Sequence, residues 1–308
     1  MKKMFMVLSL ILLGAILVGC NKDTKKVAAL VIHRQDDDFS QTVAKAFEEE
    51  VKNHEGWEFE LQNPNGDIEM QISMIEQLIT KGTSGFAILP LDNDAVAPAA
   101  KRAVGKGIAV FGLATIPGIN GDVQSEHGNG GAQAAEALVE ALDGKGKIAI
   151  VDITAVMPGV KERVDAFKKV IAKYPDIEIV SEQKCMTTDE AITVAESIYT
   201  AHPDLDGIFG SFANAVIGSA RAAKNMNKND VIVVGIDGDK EIIRLIDEGW
   251  IYASSTQDPV TIGKLAAQYV IGIAEGTKEL KVVKVQHKLI DRKNYKEMWK
   301  ELYGTDFS

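Results

Sequence analysis

Six consecutive residues, Arg34–Phe39 (RQDDDF), put three carboxylates beside an aromatic ring. Adjacent carboxylates repel each other, so the segment suits a metal ion, a cationic partner, a hydroxyl-rich ligand or a plain solvated turn. A carboxylate accepts two hydrogen bonds from vicinal hydroxyls. An aromatic face packs on the apolar C–H face of a pyranose. Asp37 and Phe39, at i and i+2, offer both to one sugar ring. A metal would need further oxygen ligands from elsewhere in the chain, and that alternative stays open.

Other chemistry-bearing patterns are absent from the sequence. G-x-S-x-G, H-E-x-x-H and G-x-x-x-x-G-K-[ST] do not occur. The segment GKGK (144–147) lacks the hydroxyl residue of a phosphate loop and precedes a strand pattern, so it reads as a turn. HGNGGAQAA (127–135) opens a helix without G-x-G-x-x-G spacing and reads as a close turn at a helix start. DGDKE (237–241) hints at calcium but lacks the remaining ligands of an EF-hand loop. The histidines are few and scattered. No nucleophile, base and orienting group assemble, so an enzyme is not expected, and no cofactor or metal is expected either.

The elements that must position Asp37 and Phe39 follow from hydrophobic periodicity. Apolar β-branched runs predict strands at 27–32, 57–62, 85–90 and 108–113, then at 147–153, 177–182, 207–212, 231–236 and 251–256. Between them lie helical patterns such as SMIEQLIT (73–80), AAEALVEAL (134–142) and VDAFKKVIAKY (164–174). This alternation predicts an α/β fold built of βαβ units around parallel sheets covered on both faces. The pattern runs twice, which predicts two similar doubly wound lobes. RQDDDF then falls at the carboxyl end of a strand, where open α/β sheets bind ligands.

The ends and composition set the compartment. MKKMFMVLSLILLGAILVGC has a basic start and an apolar run shorter than a spanning helix needs. Its LVGC ending resembles a bacterial lipobox. That resemblance implies a signal peptide over residues 1–19, lipidation of Cys20 and a tether over 20–26, leaving a folded chain of about 290 residues. A plain membrane anchor with an incidental cysteine is the other reading. The formal charge of −10 argues against nucleic acid and against polybasic membrane attachment. With Cys20 lipidated, Cys185 is left as a lone core residue.

Beyond these residues the chain resembles the type I periplasmic binding proteins of the sugar-binding branch, relatives of the ribose- and glucose/galactose-binding proteins. The resemblance rests on the aspartate-rich segment closing on Phe39 and on five markers in order: GTSGFAILPLDNDAV (82–96), VKERVDAF (160–167), TAHPDLDGIFGSF (200–212), VVGIDGDKE (233–241) and STQDPVTIG (255–263). It implies a first lobe of 27–125 plus 258–286, a second of 126–257 plus 287–308, and a three-strand hinge near Ser125, Gln257 and His287. Ligand would lie in the cleft between the lobes. Carried over position by position, Asp37, Asp237 and Arg163 fall on hydroxyl-binding positions and Phe39 on the stacking aromatic. Gln257 falls on a hinge amide that touches ligand, and His33 on a first-strand contact. Asp36 and Asp38 are expected to face solvent or to cap the helix near Ser40.

Three departures stand out. Ala114-Thr115 replaces Asn or Asp-Arg, Phe212-Ala213 replaces Asn-Asp, and a second aromatic near Thr188 is missing. An unpaired buried hydroxyl costs on the order of 1–3 kcal/mol, so Ala114 and Phe212 favour a ligand with an apolar or substituted edge: a deoxy sugar, a glycoside or a nucleoside. The resemblance implies an extracytoplasmic, lipid-anchored, monomeric substrate-binding protein that serves an ABC permease with its cytoplasmic ATPase. A ligand-presenting sensor for a receptor kinase or chemoreceptor, and less so a lipid-anchored enzyme on the same scaffold, remain the alternatives.

Overall fold

The computed structural model describes residues 25–119, 121–154 and 158–308. The segment read as signal peptide, Cys20 and most of the tether lie outside the described residues. The first half of the chain runs β1 (Lys26–Val31), α1 (Asp38–Lys52), β2 (Trp57–Gln62), α2 (Ile68–Lys81), β3 (Gly85–Ile88), α3 (Asn93–Gly105), β4 (Ala109–Gly112), β5 (Asp122–Ser125) and α4 (His127–Ala141). It continues with β6 (Gly146–Ile153), α5 (Pro158–Ile171), β7 (Ile177–Cys185), α6 (Thr188–Ala201), β8 (Gly207–Gly210), α7 (Ala213–Asn225), β9 (Ile232–Ile236), α8 (Lys240–Glu248) and β10 (Ala253–Thr256). Last come α9 (Pro259–Ala274), β11 (Val282–Val285), β12 (Lys288–Asp291) and α10 (Tyr295–Tyr303).

The strands form two six-stranded sheets, ordered β2-β1-β3-β4-β5-β11 and β7-β6-β8-β9-β10-β12. Five strands of each repeat the same order, as the doubled sequence pattern predicts. All pairs are parallel except β10 with β12, which is antiparallel. Helices cover both faces of each sheet, and the near-continuous apolar strands are the consequence: β3, β4 and β8 are buried at every residue. Each sheet carries two core clusters, one per face. Phe111 stacks on Tyr269 in the first lobe at 4.6 Å, and Phe167 on Phe209 in the second at 4.0 Å.

Among the described residues the chain passes between the sheets three times: from β5 into α4, from β10 into α9, and from β11 into β12. In both sheets the strand order reverses beside the first strand of its repeat, β1 and β6. Loops leaving the carboxyl ends there diverge and open a crevice. The two crevices face each other.

Candidate functional site

Between the lobes lies a cavity of about 850 Å³. His33, Asp37, Phe39 and Ala114 line it from the first lobe, Arg163, Phe212 and Asp237 from the second, and Gln257 from a crossing segment. All eight positions singled out from sequence are thus brought to one space.

The first wall is built by the loop after β1. Asp37 takes extended backbone at the N-cap of α1, and its Oδ1 accepts a 2.7 Å hydrogen bond from the Ser40 amide. The capping expected of a neighbouring aspartate therefore falls to Asp37 itself. Its Oδ2 is buried without a hydrogen-bond partner among the described residues, 3.9 Å from His33 Nε2. One carboxylate oxygen holds the helix and the other has no hydrogen-bond partner among the described residues. Burial lowers the pKa of His33, against the pull of Asp37. Asp36 does face solvent, where it pairs with Arg34.

Asp38 departs from expectation. Instead of facing water it reaches across the cleft, with Lys240 Nζ at 2.9 Å from Oδ1. The Tyr303 hydroxyl, on α10, lies 3.3 Å from Oδ2 and donates to the Gly238 carbonyl at 2.8 Å. The reason is geometric: successive side chains in the first helical turn point about 100° apart, so Asp38 looks toward the opposite lobe once Asp37 takes the cap.

The first wall is braced from behind by Gln71 of α2, which is completely buried. Its amide donates to the carbonyls of Ile32 and Leu89, at 2.9 and 3.0 Å, and its oxygen accepts from the Leu91 amide at 2.9 Å. One side chain thereby pins the loops after β1 and β3. Nothing in the sequence pattern marks it beyond a polar residue on an apolar helix face.

On the second wall, Arg163 is only 5% exposed. Phe167, four residues on and so on the same face of α5, stacks on Phe209 of β8 and anchors the helix. The guanidinium donates to the Ser211 carbonyl at 3.3 Å, and its Nη1 lies 3.6 Å from Asp237 Oδ1. Its Nε is buried and has no partner among the described residues. Asp237 accepts from the Ala213 amide at 3.0 Å, serving the start of α7, where Phe212 offers no side-chain cap. The Asp237 backbone sits at φ +83°, a strained conformation for a non-glycine residue and one that clusters at functional sites.

The glycine-rich start of α4 turns out to be a packing device. A Cβ on Gly131 would lie 1.9 Å from the Arg163 carbonyl oxygen, and one on Gly130 would meet the His287 ring at 2.4 Å. These glycines let α4 close on α5 and on the hinge. His127 and His287 pack edge to face there, 5.8 Å apart. Burial, with the Arg163 charge next, drives both their pKa values down to about 4, so both are neutral at neutral pH.

At the hinge, Gln257 Oε1 accepts from Ser125 Oγ at 2.7 Å, tying two crossings together. Of the departures, Ala114 faces the cavity, whereas Thr115 is exposed and takes a hydrogen bond from Gln124. Thr188 bonds Asn214 on the surface of the second lobe, outside the cavity lining. Sequence reasoning missed Asp38, His127, Asp239 and Tyr303, which also line the cavity. Asp239 lay within DGDKE, which the sequence marked only as an incomplete calcium pattern and as part of a family marker.

Comparison with known proteins agrees with this architecture. A xylitol-binding protein of Mycolicibacterium smegmatis is 27% identical over 252 residues, covering 80% of this chain and 71% of that one. The ribose import binding protein of Bacillus subtilis is 26% identical over 279 residues, covering 89% and 90%. The crystal structure of an ABC transporter periplasmic solute-binding protein from Actinobacillus succinogenes with bound D-allose superposes with a TM-score of 0.80. It is 25% identical and matches 89% of this chain and all of that one. Residues 28–278 match the family model for the periplasmic binding protein domain, and the chain belongs to that family.

Proposed function

We propose that this chain is the substrate-binding protein of an ABC importer, held outside the cytoplasmic membrane by a lipid on Cys20, and that it closes its two lobes on one sugar or sugar-like molecule. The observation that carries this reading is that Asp37 and Arg163 line one cavity from opposite lobes and each holds a buried atom, Oδ2 and Nε, with no hydrogen-bond partner among the described residues. A buried polar atom without a partner costs about 1–3 kcal/mol. A polyhydroxylated ligand relieves both at once, since each hydroxyl donates and accepts. Phe39 supplies a stacking face beside Asp37, and Phe212 supplies one from the second lobe.

Closure follows from that arrangement. A ligand touching both walls binds the closed state more tightly than the open one and shifts the population toward it. The described residues lining the cavity are hydrogen-bonding and stacking groups, and the hydroxyl paired with His33, that of Ser40 at 3.2 Å, belongs to a fully buried residue outside the lining, which supports binding over turnover. Relatives named for xylitol and ribose support a polyol or sugar ligand. A thermal-shift screen over sugars, deoxy sugars, polyols and nucleosides tests the reading. One class should raise the melting temperature in proportion to the logarithm of ligand concentration. If no sugar-like compound does so at millimolar concentration, the proposal fails.

A further inference from the structure

The charges around the cavity do not balance. Lys240 is engaged by Asp38, and Arg163 by Asp237. His33 and His127 are kept neutral by burial. That leaves four carboxylates of the lining with no cation among the described residues: Asp37, Asp92 at the N-cap of α3 and the exposed Asp94 on the first lobe, and Asp239 on the second; of these, Asp37 and Asp239 are the ones drawn into the interior of the cleft. Asp239 stands at the N-cap of α8 but makes no side-chain capping bond. Its carboxyl is pushed up to about 7, by burial first and then by Asp237, Asp38 and Asp37, so the carboxylates of the two lobes lie close enough to repel. The excess is not built for a metal: among the described residues no three His, Cys, Asp or Glu side chains are placed to hold one.

Resting on the sugar-binding reading above, we infer that the ligand is a cation, a small sugar or polyol bearing a protonated amine, seated between Asp37 and Asp239. Arg163 Nε then donates to a hydroxyl or ring oxygen of the same molecule, and the apolar edge of the ligand faces Ala114 and Phe212. An ammonium donates three hydrogen bonds and accepts none, which suits a site whose spare groups are carboxylate acceptors.

Calorimetry and thermal shift at pH 7.5 test this with D-glucosamine, D-galactosamine, D-mannosamine and 1-amino-1-deoxysorbitol, each beside its neutral parent and its N-acetyl form. At least one amine should bind about tenfold or more tighter than its parent. Asp239→Asn should erase that preference, so that each amine binds no tighter than its neutral parent. A second signature does not need the variant. Asp239 is faced by Asp237 and Glu241 from its own segment, Asp37 and Asp38 from α1, Tyr303 from α10 and the adjacent Lys240. As pH falls from 7 toward 5 it takes up a proton, and amine affinity should fall by up to about tenfold per pH unit while neutral-sugar affinity stays flat. Neutral parents binding as well as the amines would overturn the inference and leave the sugar-binding reading standing. Binding by no member of either set, nor by any compound of the wider screen, would overturn both.

Discussion

At the scale of single residues, Asp37 does two jobs that substitution can separate. Asparagine caps a helix about as well as aspartate, whereas alanine costs about 1 kcal/mol at an N-cap. Asp37→Asn should therefore melt like the parent and still bind ligand at least about tenfold more weakly, because a charged acceptor is lost. Asp37→Ala should lose both, and chemical denaturation beside calorimetry reads the two effects apart. The sequence already marked this residue through the strand that precedes it and the aromatic two positions on. It could not tell which of three adjacent aspartates caps, which faces water and which crosses to Lys240, because that choice depends on the rotation of α1 relative to a distant lobe. Asp239 and Tyr303 were illegible for the same reason: their partners are supplied by other elements.

At the scale of elements, the strands with continuous apolar runs were readable, and those that link the lobes were not. β5 (DVQS), β11 (VVKV) and β12 (KLID) are short and partly exposed. They are edge or linking strands that need only one covered face, so their residues show neither a continuous apolar run nor clean alternation. The glycines of α4 read as a turn because the partner they admit, the backbone of α5, lies more than thirty residues away. Since a Cβ on Gly131 would strike the Arg163 carbonyl, Gly131→Ala must push α5 outward. It should cost about 1–3 kcal/mol and weaken ligand binding through the displaced guanidinium. Gly128→Ala, whose nearest contact would be an ordinary 3.8 Å, should leave binding unchanged. Equal binding by the two variants would show that α4 does not position Arg163.

At the scale of the whole molecule, two similar lobes and a hinge with buried histidines make stability depend on pH. His127 and His287 titrate near 4 in the folded state against 6.5 ordinarily. As pH falls from 6.5 to 4 the unfolded chain takes up protons that the folded chain refuses, and stability is lost. Asp239 works in the opposite direction, since the folded state holds its proton from about 7 down toward the ordinary 3.8. The melting temperature should therefore fall across this window, and fall more steeply in Asp239→Asn. The duplicated fold was evident from the repeated strand and helix pattern. The share of α10 in lining the cleft, through Leu302 and Tyr303, was not, because a C-terminal amphipathic helix carries no mark of where it docks. The central claim is that one ligand bridges the two walls through Arg163. Calorimetric titration of the best compound from the screen, into the parent and into Arg163→Ala, tests it most directly. One-to-one binding to the parent and a loss of at least about a hundredfold in the variant are expected, as follows when a buried charged donor is removed. Undiminished one-to-one binding by a folded Arg163→Ala protein would contradict it.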